Sequence, residues 1–247
     1  MPMRDVVSYL QEHYDIKVLG DITWSHAVNS QQRLQDVLND PQVMMLEVDV
    51  ILSSSGEVVL AHPPAQDSDL RFDTFINIMI GSRQGIKLDM KDPEVLIPCL
   101  TLLRDSGLQQ PVLLNAGVVP GNDGYPPKFS TRGFFAACKK FYPRGILSPD
   151  WTNEYTPLSG ENIDAMLGAC EDFEQVTFPV NARMLPFSWP HLTRLLQHDG
   201  YSLTIWDGKP VDKYLRLWLQ ENTDPAKVCY DCVDENGKPL SWWNNAI

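Results

Sequence analysis

Eight short runs rich in β-branched and aliphatic residues alternate with seven helix-patterned ones along this chain, and that alternation limits the fold more than any single motif. The extended runs fall at 18–26, 43–52, 85–91, 111–115, 145–148, 175–181, 201–206 and 227–231. Helical patterns lie between them at 31–38, 70–80, 93–103, 131–141, 160–170, 188–198 and 211–219, after an amphipathic opening helix at 3–14. Strands that alternate with helices pair in parallel, so the spacing predicts one α/β domain over 1–247, a single (β/α)8 barrel of the TIM type. The turn from Ser53 to Gly56 reverses the chain into a short extended segment at 57–61, which adds a hairpin after the second strand. A doubly wound sheet is the competing fold and would require the short run at 145–148 to be something else. The Gly- and Pro-rich stretch at 117–127 reads as a loop at the barrel mouth, and Trp242 and Trp243 of the tail are expected to pack on the barrel exterior.

Charge narrows the function classes. Thirty-two acidic against twenty basic residues give a formal charge of -12, which argues against nonspecific nucleic-acid binding and leaves no polybasic patch for anionic membranes. The opening residues are too polar for a secretory signal, and no stretch approaches a transmembrane span. A soluble cytoplasmic or otherwise intracellular protein is therefore expected, and nothing specifies a protein partner. Five cysteines without a framework fit a reducing compartment, and Cys229 and Cys232, astride the last strand, read as inert thiols.

The chemistry concentrates in the second strand. Met45, Glu47, Asp49 and Ile51 share one parity, so two carboxylates project from one face of an otherwise apolar strand. Like charges there repel and are penalised by desolvation unless a cation, a lysine or a proton compensates. C-terminal strand ends converge on one mouth in a barrel, which gathers His26 from the first strand, His62 from the hairpin, and Lys87, Asp89 and Lys91 from the third. Glu47, Asp49 and Asp89 offer the hard oxygens that Mg2+ or Ca2+ prefers, and two imidazoles can serve as acid and base across a phosphorus atom. Lys91 and Lys87 can stabilise negative charge or hold the carboxylates. Asn115, Asn181, Arg183, Trp206 and Asp207 lie at further strand ends and can shape a substrate pocket, with Arg183 as an electrostatic aid and Trp206 as an apolar or cation-binding wall. His13, His191 and His198 lie on helical patterns and suit surface or packing roles.

Four segments carry a resemblance: DITWSHAVNS at 21–30, MLEVDVIL at 45–52, VLAHPP at 59–64 and GIKLDMK at 85–91. Together they resemble the menorin family, a distant relative of glycerophosphodiester phosphodiesterases and sphingomyelinase D, and the resemblance extends over nearly the whole chain. It implies a metal-dependent phosphodiesterase barrel in which His26 and His62 are catalytic, Glu47, Asp49 and Asp89 hold the metal, and Lys91 supports them. Two departures stand out. The usual His-Arg-Gly reads His26-Ala27-Val28, which removes a phosphate-binding arginine, and His-Asp reads His62-Pro63.

The expected function is hydrolysis or cyclisation of a glycerophosphodiester or of a lysophospholipid- or sphingolipid-like phosphodiester, by way of a cyclic phosphate. The alternative is a noncatalytic ligand-binding or protein-interaction barrel that keeps the metal site. A sugar-processing barrel with paired acids is the third reading, and it gives no reason for the histidine and lysine set.

Overall fold

The structure is a computed structural model that describes residues 6–122, 124–152 and 155–241. The expected tryptophan pair of the tail lies outside the described residues. In order come α1 (Val6–Tyr14), β1 (Trp24–Ser25), α2 (Gln31–Leu38), β2 (Met45–Leu52), β3 (Val58–Leu60), α3 (Phe72–Met79), β4 (Gly85–Met90) and α4 (Leu96–Ser106). The second half adds β5 (Val112–Val119), α5 (Thr131–Phe141), β6 (Ile146–Trp151), α6 (Gly160–Ala169), β7 (Val176–Asn181), α7 (Leu185–Leu192), β8 (Tyr201–Trp206), α8 (Lys213–Asn222) and β9 (Val228–Asp231). Eight strands form one parallel sheet in the order β1-β2-β4-β5-β6-β7-β8-β9, and β3 pairs antiparallel with β2 as the extra hairpin strand. β9 comes back beside β1, so the sheet is a nearly closed (β/α)8 barrel.

Local sequence explains most boundaries. Ser30 caps α2 by accepting from the Arg33 amide at 3.2 Å, Ser159 caps α6 through Asn162, and Asp212 caps α8 by accepting from the Leu215 amide at 2.9 Å. Gly107, at φ 73°, ends α4 in the left-handed region. The expected first strand is mostly a turn. Around Leu19–Asp21 the Asp21 amide bonds to the Val18 carbonyl and the Ile22 amide to the Leu19 carbonyl, which takes those donors out of any ladder. β5 and β6 run further than expected, because the small residues Ala116 and Gly117 continue the ladder to Pro149 and Asp150 instead of starting the loop.

Strand side chains split by parity into two layers. Leu46, Val48 and Val50 of β2 and Ile86 and Leu88 of β4 point outward into the main core beneath the helices, with Phe75, Ile76 and Leu100. Inside the barrel, Trp24, Met45, Leu113, Ile146 and Cys229 form an apolar floor against Val6 and Leu10 of α1, so the opening helix plugs the bottom. Tyr14 completes the plug, donating from its hydroxyl to the Met44 carbonyl at 2.9 Å and accepting from the Gly85 amide at 2.8 Å. No helix among the described residues is long and apolar enough to cross a membrane.

Gly85 is where this plug comes closest to the sheet. A Cβ there would stand 2.4 Å from Met45 Sδ and 2.5 Å from the Tyr14 hydroxyl. Gly85→Ala is expected to cost about 1–3 kcal/mol through overpacking. That corresponds to a melting temperature lower by several degrees; a melt within about 1 °C of wild type would contradict the tight contact.

Candidate metal centre

The register of β2 against β4 builds the site. Glu47 lies beside Lys87 and Asp49 beside Asp89 across the ladder, all four pointing into the barrel above the apolar floor. Oxygens of Glu47, Asp49 and Asp89 lie within 4.8 Å of one another, and all three residues are buried. Lys91 reaches over them, with its Nζ 3.1 Å from Asp49 and 2.6 Å from Asp89. Asn29, in the turn after β1, donates to Asp49 at 2.7 Å and accepts from the Asp49 amide at 2.9 Å, which fixes the orientation of that carboxylate.

Burial sets the protonation of this group. Burial pushes the Glu47 carboxyl up, the neighbouring Asp49 charge adds to that, and His26 and Lys87 offset only part of it, so Glu47 stands near about 7. Asp89 goes the other way: burial would raise it, but the Lys91 and Lys87 ammonium groups outweigh burial and hold it below the usual carboxylate range. Lys87 is itself held above the ordinary range, because Glu47 and Asp89 outweigh the penalty of burying its charge. Three enclosed carboxylates within reach of one another and short of countercharge are a hard-oxygen donor set that could hold a divalent cation.

His26 follows β1, and Asp231 ends β9. His26 Nδ1 sits 2.8 Å from Asp231 and 3.6 Å from Glu47, so it donates its proton to Asp231 and leaves Nε2 for other work. Its ring stacks on Trp206 at 5.7 Å and 2°. Burial alone would lower this imidazole, but the charges of Asp231 and Glu47 and the Asp231 hydrogen bond win and raise it to about 10. Ala27, with φ 54°, holds the following turn by donating its amide to Glu47 at 2.9 Å. His62 is exposed at the end of the hairpin, and its Nδ1 is 2.6 Å from the Pro63 carbonyl. A carbonyl only accepts, so Nδ1 is the donor of this bond and Nε2 is the nitrogen turned to other partners.

A cavity of about 220 Å³ joins these groups: His26 and His62, the three acids, Lys87, Lys91 and Trp206 all line it. The other expected pocket residues do not line this cavity, although Asn115 on β5 is the ladder neighbour of Asp89. Asn115 is buried in the barrel and donates to the Ser148 carbonyl at 2.6 Å. Asn181 accepts from the Arg183 amide, and the Arg183 guanidinium pairs with Asp207 at 2.8 Å and donates to the Pro210 carbonyl. Asp231, Asn29 and Tyr155 belong to the site or its wall but were not singled out from sequence. Asp231 had one signal available, its place at the end of the strand that closes the barrel next to β1. Cys229 and Cys232 are free, buried thiols, and burial pushes Cys229 up to about 12.

The family model described as the menorin N-terminal domain matches residues 19–236. Human Protein FAM151B is 32% identical over 232 residues, covering 87% of this chain and 83% of that protein. Among solved structures, a glycerophosphodiester phosphodiesterase from Agrobacterium tumefaciens strain C58 is similar at a TM-score of 0.48 and 13% identity, over 85% of this chain and 96% of that one. An L-ribulose 3-epimerase is similar at 0.46 and 12%, over 87% and 82%.

Two measurements check the site. Ca2+ or Mg2+ at about a hundred times its dissociation constant is expected to stabilise the protein by about 2.7 kcal/mol, and Glu47→Gln should abolish the resulting rise in melting temperature. In the cation-free protein His26 should titrate near about 10 by NMR and fall back toward 6.5 in Asp231→Asn. Because the folded value is raised, the stability supplied by this pair is fully present below 6.5 and is lost as pH rises through about 10. A wild-type imidazole titrating at its ordinary value would show that Asp231 does not govern it.

Proposed function

The chain belongs to the menorin family, and from that premise we propose that it is a divalent-metal-dependent phosphodiesterase acting on a glycerophosphodiester or a lysophospholipid- or sphingolipid-like substrate. One observation carries the reading: three buried carboxylates within 4.8 Å of one another share a cavity with two imidazoles, each held through Nδ1 so that Nε2 makes no hydrogen bond among the described residues. A carbohydrate hydrolase built on paired acids would have no use for that second pair.

Glu47, Asp49 and Asp89 would hold the cation. When bound, it supplies positive charge to the phosphoryl oxygens and so lowers the cost of attack. His62 Nε2 accepts the proton of the attacking hydroxyl. His26, kept protonated by Asp231 and Glu47, gives a proton to the departing oxygen. If the nucleophile is a hydroxyl of the substrate itself, a new P–O bond closes a cyclic phosphate as the bond to the leaving alcohol breaks, and intramolecularity lowers the entropic cost. Water then opens the ring when it enters before release. Lys91 keeps Asp49 and Asp89 turned toward the centre, and Lys87 balances the charge of Glu47 from below.

A second reading, a binding barrel that has given up catalysis, is favoured by one observation. No arginine of the described residues lines the cavity, Ala27 stands where related enzymes supply one, and Arg183 is already paired with Asp207. Five free, buried cysteines support placing the protein in a reducing compartment, and 1–247 is read as one domain.

Glycerophosphodiesters assayed with Mg2+, Ca2+ or Mn2+ decide between the two readings. His26→Ala and His62→Ala are each expected to lower kcat by roughly 10²–10⁴-fold while leaving cation-induced stabilisation in place. Binding of the diester by wild type with no turnover under any of these cations would establish the second reading instead.

A further inference from the structure

Large exposed hydrophobic side chains are distributed unevenly over this barrel. Tyr125, Tyr155, Phe187 and Tyr214 are 69%, 69%, 68% and 83% exposed, and each lies in the connection or at the helix start that follows β5, β6, β7 or β8. Those strands are successive neighbours in the sheet, so the four residues are set along an arc of connections around one side of the mouth. Of the other large exposed hydrophobics among the described residues, all aliphatic, Leu52 and Ile97 lie at the mouth end after β2 and β4, and Ile78 and Ile80 at the far end of α3, so only the aromatic ones are confined to this side. Singly exposed apolar residues are ordinary on any surface, but four aromatics on four adjacent connections at one end are not a random scatter.

The arc is continuous with the site. Thr152 donates from its hydroxyl to the Tyr125 carbonyl at 3.1 Å, linking the first connection to the second. Tyr155 stands edge-on to Trp206 at 6.0 Å, and both line the cavity of about 220 Å³ that holds the acids and imidazoles. That volume accommodates a phosphate headgroup, and the charged lining is a poor solvent for hydrocarbon. The acyl chain of an amphiphilic diester would therefore remain outside and cross the rim where the rings are.

We infer that the arc is an interfacial docking surface that seats the barrel mouth on a zwitterionic phospholipid surface, so that the substrate is drawn from a lipid aggregate. This rests on the phosphodiesterase reading and adds the physical state of the substrate. Tyrosine and phenylalanine are suited to the headgroup boundary, where a ring can be apolar on one side and wet on the other. The formal charge of -12 directs the choice toward zwitterionic rather than anionic lipid.

The test uses phosphatidylcholine vesicles containing lysophosphatidylcholine, alongside soluble glycerophosphocholine. The triple variant Tyr125→Ser, Phe187→Ser, Tyr214→Ser leaves the cavity lining intact. It should lose about tenfold in vesicle sedimentation and in turnover of the vesicle lipid. Turnover of the soluble diester, and the melting temperature, should stay near wild type. Equal sedimentation of variant and wild type overturns the inference, as does a wild-type dimer that the variant dissociates in sedimentation velocity, since the arc would then join two copies. Turnover of the soluble diester without vesicle binding overturns docking and keeps the phosphodiesterase. Arc-dependent vesicle binding without turnover of either diester does the reverse.

Discussion

Charge compensation inside the upper barrel is the constraint on which the rest of the structure depends. Glu47, Asp49, Asp89 and Asp231 are all buried, and the groups facing them are Lys87, Lys91 and the His26 imidazole. Buried Asp150 adds its charge beside Lys87, so among the described residues the carboxylates outnumber the cations of this enclosure, and burial magnifies the shortfall because little solvent screens it. The molecule answers in the two ways open to it. Glu47 moves toward the protonated form, and His26 moves toward the charged one. A divalent cation, which the three hard-oxygen donors could hold, would supply the missing charge from outside.

The fold makes such an enclosure tolerable by dividing the labour between its layers. Outward-facing Leu46, Val48 and Leu88 bury their area under the helices, where ordinary hydrophobic stabilisation is gained. Inward-facing residues of the same strands are then free to be polar. An apolar floor sealed by α1 keeps the charged layer from opening at the bottom, leaving the mouth as its route to solvent. Closure is also partly a matter of charge. β1 is only two residues long and makes no ladder with β9, so the His26–Asp231 bond at 2.8 Å and the Gly20 amide to Pro225 carbonyl at 2.9 Å tie the seam. The His26–Asp231 contact thus joins the turn after the first strand to the end of the last and orients the imidazole.

The turn after β1 stores a small amount of strain at that seam. Ala27 adopts a left-handed backbone, which costs an L-residue roughly 1–2 kcal/mol, and it does so with its amide bound to Glu47. Strain retained at a charged cluster points to a geometry that the surroundings enforce.

Much of this was legible from residues alone. Parity placed Glu47 with Asp49 and Lys87 with Asp89, because strand periodicity is a local property of the chain. The alternation of strands and helices likewise carried the barrel and its added hairpin. Other features were not available locally. The turn at Leu19–Asp21 came from backbone bonds that compete with the ladder, and β5 outran its expected end because a small-residue segment is extended only when a neighbouring strand pairs with it. Arg183 could be placed at a strand end, but its capture by Asp207 depends on the neighbouring connection. What the chain determined by itself, then, is which residues share a face and in what order the layers follow. What only the tertiary structure decided is which faces meet: Asp231 reaches His26 across 205 residues of sequence, and four separated aromatics become one arc, because closing a sheet into a barrel makes neighbours of segments that no local period relates.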